Sequence, residues 1–161
     1  MNQAGAEVEK AEQRAKADGF RVVMENPPDE PTQIILLSGL ASFNESRIGP
    51  DPVRDPRNHI CVVARDAEGR VRGGLQGVIV GAWLAMDLVW VEDGFRRNGL
   101  GSRLLAEAEA EALRRGCKWA ILATFDYQAP GFYSRRGYVE YARMEDFPWG
   151  STRFQLKKTL A

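Results

Sequence analysis

The sequence predicts an α+β fold in which helices flank a mixed, mostly antiparallel sheet. Three apolar segments, 59–65, 71–80 and 83–91, follow one another through short turns containing glycine, as in an antiparallel meander. A segment rich in strong helix formers, 104–113, comes next and is closed by Gly116. Another apolar segment, 118–125, follows this helix, and such a strand–helix–strand connection places two strands parallel.

The outer parts of the chain supply the remaining elements. Residues 7–18 are charged and helix-favouring, which predicts an extra N-terminal helix within 1–19, and residues 20–24 predict a short strand before Pro27-Pro28. A helix is predicted from Pro31 to the region before Gly49-Pro50. Residues 138–143 and 152–160 predict two last strands, joined by a turn over 144–151.

Length and charge restrict the class of protein. A chain of 161 residues fits one domain, so a single domain is predicted over 1–161. Lys plus Arg and Asp plus Glu number 22 each, which leaves no net field to attract nucleic acid or an anionic membrane. We therefore expect neither as a partner.

Location and metal content follow from what the sequence lacks. Residues 1–10 have no signal-peptide pattern, and no segment offers the roughly 18 uninterrupted apolar residues of a membrane span, so a cytoplasmic location is expected. One histidine, His59, and two separated cysteines, Cys61 and Cys117, form no metal-binding pattern. We expect no metal and two unpaired thiols.

The stretch 88–105 carries the strongest functional signal. It predicts a strand, a turn containing glycines and the start of a helix, with residues 96–102 at the helix N-terminus. The first N–H groups of a helix have no internal acceptor, and Gly99 and Gly101 have no Cβ to keep a ligand from the backbone. Arg96 and Arg97 add positive charge, so a phosphate site is predicted here.

Two common phosphate loops do not match these residues. A Walker loop needs Lys and then Ser or Thr after its second glycine, but Ser102-Arg103 follow Gly101. A dinucleotide fingerprint needs a third glycine where Leu104 stands. The pattern present is Arg-x-x-Gly-x-Gly over 96–101, which resembles the pyrophosphate loop of the GNAT superfamily of acetyl-coenzyme A-dependent N-acetyltransferases.

A second segment strengthens this resemblance. Residues 129–138 contain Phe132-Tyr133 and end at Gly137-Tyr138, similar to the second signature of the family, a short helix with a Phe/Leu-Tyr pair before Gly-Phe/Tyr. The resemblance covers about residues 31–160. It implies a GNAT fold in which the two central parallel strands splay into a V that receives the pantetheine arm.

By this resemblance, acetyl-coenzyme A is the cosubstrate. The backbone of Leu88, Trp90 and Val91 would pair with pantetheine like an added strand. Many members have an asparagine seven residues before the tyrosine; here Asp126 stands there, and either its carboxylate or the Gln128 amide would make the contact. The other implied cofactor contacts are Arg96, Arg97, Asn98, Gly99, Leu100, Gly101, Ser102, Phe132 and Tyr133.

The implied chemistry is attack of an amine on a thioester. Tyr133 stands at the position of the tyrosine acid of the family, and a phenol with a pKa of about 10 is protonated at neutral pH; a structural tyrosine is the alternative. Asp87 is the candidate base, since by simple alternation it shares a face with Val89 and Val91 and an acid in an apolar strand needs a partner or a function. Glu92 is an outside candidate for the base.

The acceptor is the least defined part of the prediction. The predicted substrate contacts are Asn44, Trp83, Asp87 and Phe125, although aromatic residues also serve as core. Within the superfamily the chain resembles small bacterial enzymes of the aminoglycoside type such as kasugamycin acetyltransferases, which implies a primary amine of a small molecule as acceptor. Protein or peptide N-acetylation and a non-catalytic coenzyme A-binding module are the alternatives. A homodimer is expected, because members often pair through their C-terminal strands.

Overall fold

The computed structural model describes residues 19, 20 and 22–161. Contacts within the chain form two compact units, Met1–Gly49 and Pro50–Ala161. The helix predicted over residues 7–18 lies outside the described residues. A single domain over 1–161 stays a prediction.

The first unit contains one long helix among its described residues, α1, over Glu30–Ile48. The carboxylate of Asp29 caps its start by accepting from the backbone N–H of Thr32 at 2.8 Å. Its end is capped by Gly49, which has a φ of 80° and donates its N–H to the carbonyl of Glu45 at 3.0 Å. These signals are present in the sequence, and the predicted helix is confirmed.

The strand predicted over residues 20–24 is wrong. The described residues of this segment, 20 and 22–24, belong to no strand, and their side chains are exposed. A strand is stable only in a ladder with a neighbour, and these residues make no backbone hydrogen bond to another described segment. Apolar, β-favouring composition was therefore not sufficient here.

The second unit is built on a six-stranded sheet in the order β1-β2-β3-β4-β6-β5. The strands are β1 His59–Arg65, β2 Val71–Val80, β3 Trp83–Val91, β4 Trp119–Phe125, β5 Val139–Met144 and β6 Arg153–Thr159. In this sheet β3 and β4 are parallel, and the other neighbouring pairs are antiparallel. The predicted mixed, mostly antiparallel sheet is confirmed.

Two helices belong to this unit, α2 over Leu100–Arg114 and α3 over Pro130–Ser134. α2 packs across β1, β2 and β3. Its buried residues recur at helical spacing and join the core on one face of the sheet: Leu104, Leu105, Ala108 and Ala112. Because α2 follows β3 directly, this packing holds its N-terminus at the carboxyl end of that strand.

The parallel pair of strands is joined over only part of its length. Pairing runs from Trp83 with Trp119 to Met86 with Leu122, whereas β3 continues to Val91 and β4 to Phe125. Beyond Met86 the two strands are no longer hydrogen-bonded to each other. The splay expected between the central strands is therefore present, and it opens toward the start of α2.

A β-bulge marks the point where this pairing ends. Opposite β2, Leu88 pairs with Gln76 but Met86 pairs with Gly77, so Asp87 is the extra residue. The bulge changes the phase of the strand: Val89 and Val91 pack against the same core as Leu84 and Met86, while Asp87 is exposed. The prediction that Asp87 shares a face with Val89 and Val91 is wrong, because alternation does not continue through a bulge.

Gly77 leaves the room that this bulge requires. A Cβ at this position would lie 2.6 Å from the carbonyl oxygen of Ala85 and 3.2 Å from Cα of Met86. Both of these are backbone atoms of the neighbouring strand, which cannot move without disturbing the ladder. A glycine is therefore needed here for close approach of the two strands.

We expect Gly77→Ala to lower the free energy of unfolding by about 1–3 kcal/mol, as overpacking does. Urea or thermal unfolding followed by circular dichroism measures the change. Gly94→Ala is the control, because a Cβ at Gly94 meets no atom within 4 Å and should leave stability nearly unchanged. Equal stability of the two variants would contradict the role given to Gly77.

Candidate active site

The splay between β3 and β4 forms a cleft of about 910 Å³. Its walls are the carboxyl half of β3, the loop before α2, the end of β4 and the helix α3. Most of the predicted site residues line it: Asp87, Leu88, Trp90, Val91, Arg96, Arg97, Gly99, Leu100, Gly101, Ser102, Gln128, Phe132 and Tyr133. The fold thus brings the two sequence motifs together on opposite walls of one cleft.

One end of the cleft is suited to an anion. Arg97 and Gly99 have positive φ values of 66° and 79°. These conformations produce a tight turn whose successive N–H groups lead into the first turn of α2. The N–H groups of Arg97, Asn98 and Gly99 have no acceptor among the described residues. The helix start adds its own unpaired N–H groups.

The two arginines of this loop are placed differently. Arg96 donates through Nε to the carbonyl of Val91 at 2.8 Å and forms an ion pair with Asp93 at 2.7 Å, so it ties the loop to the end of β3. Arg97 lies at the cleft wall. Asn98 belongs to the same turn, but its side chain is not among the residues that line the cleft.

The backbone of β3 beyond the bulge offers a free edge to the cleft. On the β2 side, Leu88 and Trp90 pair with Gln76 and Gly74. On the β4 side this part of the strand has no strand neighbour in the described sheet. Unpaired strand groups of this kind can receive an extended ligand in the manner of an added strand.

Tyr133 is presented to the cleft by α3. Its side chain is only 8% exposed, and its ring meets those of Phe132 and Tyr138 edge-on at 5.0 and 5.9 Å. Its hydroxyl makes no hydrogen bond to another described residue. Burial raises the pKa of Tyr133 above its usual value, so the phenol stays protonated. The site therefore holds a protonated hydroxyl that is available to a ligand.

A polar cluster lies next to Tyr133, at the residue Tyr138 whose ring contacts that of Tyr133. Tyr138 donates its hydroxyl to Glu109 of α2 at 2.8 Å, and Lys158 of β6 forms an ion pair with the same carboxylate at 2.6 Å. Burial, and then the charge of Glu109, raise the pKa of Tyr138. This cluster joins α2, the turn after α3 and β6.

The two candidate bases are placed differently. Asp87 lines the cleft at the bulge and forms no ion pair within the described part of the chain. Glu92 is bound by Arg72 at 2.6 Å, and Arg72 also binds Asp66 at 2.8 Å, so Glu92 serves this network outside the cleft. Geometry thus favours Asp87 over Glu92 as a group that could take a proton from a ligand.

Besides Asn98, the predicted residues Trp83, Phe125 and Asp126 of the second unit do not line the cleft. Trp83 stacks on Trp119 at 5.0 Å at the paired end of β3 and β4, in a separate depression of about 380 Å³. Phe125 stacks on Tyr127 at 5.2 Å, and of the two rings only that of Tyr127 lines the cleft. Asn44 is exposed on α1 in the first unit, and its role stays a prediction.

The carboxylate of Asp126 is occupied by the local backbone. Its two carboxylate oxygens accept from the N–H groups of Tyr127 and Thr152, each at 2.9 Å. Gln128 does line the cleft, with its side-chain oxygen accepting from the N–H of Phe125 at 3.1 Å. Of the two alternatives for a pantetheine contact, Gln128 is thus the one at the cleft wall.

Sequence reasoning missed several residues of the cleft. Arg135 and Arg136 line it, as do Thr124 and Ala129. The two arginines could have been found, because they directly follow the tyrosine motif and carry charge suited to phosphate. Thr124 gave no such signal, since it is a buried polar residue in an apolar strand.

The described residues contain no group of three or more His, Cys, Asp or Glu side chains that could hold a metal ion. Among the described helices, none combines the length and the apolar character needed to cross a bilayer.

A turn with unpaired N–H groups, a splayed pair of parallel strands and a buried, protonated tyrosine thus border one cleft, and the comparisons with known proteins place this arrangement among the acyltransferases. The family model for the acetyltransferase (GNAT) domain matches residues 56–140. The chain belongs to this family of GNAT acetyltransferases, and the family predicted from the two motifs is confirmed.

Individual relatives agree with this assignment. The blasticidin-S acetyltransferase of Streptomyces morookaense is 48% identical over 93 residues, which cover 57% of this chain and 68% of that protein. A crystal structure of an acetyltransferase from Bacillus cereus has a TM-score of 0.74 and 30% identity, covering 86% of this chain and 97% of that one. An aminoglycoside 6'-N-acetyltransferase complexed with coenzyme A, at 20% identity, shares the fold with a TM-score of 0.60 over 66% of this chain and 75% of its own.

The two buried tyrosines make stability depend on pH. In the unfolded chain a phenol ionises near pH 10, whereas in the folded chain burial raises the pKa of Tyr133 and Tyr138. Their contribution to stability is thus fully present below about pH 10 and is lost as the pH rises above it.

We expect the free energy of unfolding to fall with increasing pH above about 10, and to fall less steeply in Tyr138→Phe, because only the phenol of Tyr133 then contributes. Urea unfolding at a series of alkaline pH values measures both slopes. An unchanged slope in Tyr138→Phe would contradict the assigned cause.

Proposed function

We propose that this protein transfers the acetyl group of acetyl-coenzyme A to a primary amine of a small molecule. The observation that carries the proposal is the cleft itself, which extends from an array of unpaired N–H groups to the hydroxyl of Tyr133. Such a cleft fits a long ligand with an anionic end and a reactive end. Its charges are distributed accordingly, with Arg96, Arg97 and Arg135 along the wall and Asp87 at the bulge.

The donor would be held by parts of the chain that need a ligand. The loop and first turn of α2, residues 96–102, would bind the pyrophosphate, including through Asn98. The unpaired edge of β3 at Leu88, Trp90 and Val91 would pair with pantetheine, with Gln128 or Asp126 contributing a polar contact from the other wall and Phe132 packing beside it. The aminoglycoside acetyltransferase that shares this fold was crystallised with coenzyme A, which supports this choice of donor.

In the proposed reaction, one residue accepts a proton and another residue donates one. Asp87 accepts the proton of the attacking amine, directly or through water, as the C–N bond forms. A backbone N–H near Trp90 or Val91 stabilises the negative charge that develops on the carbonyl oxygen. Tyr133 donates its proton to the sulfur as the C–S bond breaks, which its raised pKa and free hydroxyl allow.

The acceptor class is inferred from the relatives and from the acid at the bulge. The curated relative that is 48% identical is named for acetylation of blasticidin S, which supports an antibiotic amine as acceptor here. An aminoglycoside-type amine belongs to the same class and is included in the proposal. The carboxylate of Asp87 would attract the protonated, cationic form of the acceptor amine before that amine loses its proton. The other predicted acceptor contacts, Asn44, Trp83 and Phe125, stay predictions.

Calorimetry with acetyl-coenzyme A, followed by thiol release with a panel of amines, tests the proposal. The panel holds blasticidin S, aminoglycosides, polyamines, amino acids and peptides. We expect binding of the donor and turnover with a small-molecule amine. Turnover restricted to peptides would favour protein or peptide acetylation, binding without turnover would favour a non-catalytic module, and absence of binding would contradict the proposal.

We also propose that the protein is a homodimer. β5 lies at the edge of the sheet and leaves Val139, Tyr141 and Met144 exposed, which suits pairing between copies. Light scattering at micromolar concentration tests this, and a monomer would contradict it. The cytoplasmic location and the absence of nucleic-acid and membrane partners stay expectations from the sequence.

Gly99→Ala should abolish or strongly weaken binding of coenzyme A. Gly99 has a φ of 79° and open space around its Cβ position, so a methyl group would be strained and would enter the proposed phosphate site. Gly69→Ala is a matched control, since Gly69 has a φ of 81° and equally open surroundings in the turn between β1 and β2. Calorimetry should show lost affinity in the first variant alone; equal affinities would refute the loop assignment.

Tyr133→Phe should lower kcat by about 100-fold or more while coenzyme A still binds, because a general acid contributes about 10²–10⁴-fold. Asp87→Asn should lower kcat/KM for the amine, because the amide cannot accept the proton of the attacking amine. Thiol-release kinetics from pH 5 to 10 measure both. Unchanged turnover in Tyr133→Phe would leave this tyrosine a structural residue.

A further inference from the structure

We propose that Arg136 is a positioning residue that holds the phosphate-binding loop and Tyr133 at the separation the reaction requires. This inference rests on the proposed function, because it concerns the same cleft. Arg136 lies within the second sequence motif, at a position that the signature leaves free, and it was not among the predicted site residues.

Arg136 contacts both walls of the cleft at once. Its Nη1 donates to the carbonyl oxygen of Phe132 at 3.0 Å, and its guanidinium lies 4.0 Å from the centre of the Phe132 ring. Its Nη2 donates to the hydroxyl of Ser102, a residue of the first turn of α2. One planar group thus joins α3 to the N-terminus of α2.

The packing around this contact is equally close. A Cβ at Gly101 would lie 3.4 Å from the Phe132 ring, so the first turn of α2 rests on that ring. Phe132 directly precedes Tyr133, and Ser102 is the last residue of the proposed pyrophosphate site. The position of the tyrosine hydroxyl relative to the loop is therefore set through Phe132, Arg136 and Ser102.

Arginine is suited to this task because its fork of donors is planar and rigid. It can bind an oxygen on each side and stack on an aromatic ring in one fixed arrangement. Lysine carries the same charge but offers a single ammonium group on a flexible stem. A charge alone at this position would not fix the distance between the two walls.

Arg135 provides a comparison within the same cleft. It also lines the wall, yet it makes no hydrogen bond to α2 in the described structure. Replacing it removes one positive charge from the cleft and leaves the joint between α2 and α3 intact. Comparing replacement of Arg135 with replacement of Arg136 therefore separates the effect of losing a positive charge from the effect of losing the contact between α2 and α3.

The expected kinetic effects follow from this difference. Misplacement of reacting groups by about 1 Å can lower a rate by about 100-fold, so Arg136→Met should reduce kcat by about 10- to 100-fold with little change in KM for acetyl-coenzyme A. Arg136→Lys should restore only part of kcat. Arg135→Met should act on KM for acetyl-coenzyme A and leave kcat nearly unchanged.

Steady-state thiol release on the full chain, with the amine found to be a substrate, tests these expectations. Ser102→Ala should lower kcat in the wild type and have no further effect in Arg136→Met, because the two side chains act as one contact. An effect of Arg136→Met on KM alone would make it a phosphate-binding cation and overturn the proposal. Unchanged kcat, or additive effects of the two substitutions, would overturn it as well.

A second measurement separates this inference from the proposed function. Urea unfolding of wild type, Ser102→Ala, Arg136→Met and the double variant needs no substrate. If Arg136 and Ser102 contact each other, the changes in the free energy of unfolding of the two single variants should not add up to that of the double variant. Additive stabilities would overturn the inference even if the enzyme acetylates an amine. Non-additive stabilities without any binding of acetyl-coenzyme A would contradict the proposed function alone. Arg136→Lys serves where Arg136→Met fails to fold.

Discussion

The early end of the hydrogen-bonded ladder between β3 and β4 is the constraint on which this structure depends. Pairing stops after Met86 and Leu122, although both strands continue. Unpaired strand edges inside a sheet require a partner, because each exposed backbone group loses a hydrogen bond when it is shielded from water. The cleft is thus a gap in the sheet, bordered by strand segments that are not paired with each other.

Neighbouring features keep this gap open and give it chemistry. The bulge at Asp87 exposes a carboxylate at the base of the gap and returns Val89 and Val91 to the core, so α2 can pack on the strand that borders the cleft. α2 then places its unpaired N–H groups at the mouth. Across the gap, α3 is fastened to α2 through Arg136 and Ser102, and the following turn through Tyr138 and Glu109. Tyr133 lies in the segment between these two contacts with α2.

Much of this could be predicted from the sequence, because the signals are local. The helix ends at Asp29 and Gly49, the strands of the meander and the glycine loop before α2 depend on residues within a few positions of one another. The strand predicted over residues 20–24 failed because pairing requires a distant neighbour. Asp87 was assigned to the wrong face because the bulge arises from the opposing strand, where Gly77 admits the backbone of β3.

The sequence by itself determined the family, the order of the elements from the long helix onward and the glycine-containing turn at the start of α2, since motif spacing and helix-start signals depend on consecutive residues. Only the tertiary structure decided which side chains meet across the cleft. It brought Arg136 to Ser102, 34 positions away, and it placed Gln128 at the wall while the backbone of Tyr127 and Thr152 engaged Asp126. These contacts depend on where β4 and α3 return relative to β3, and that position is set by the packing of the whole sheet.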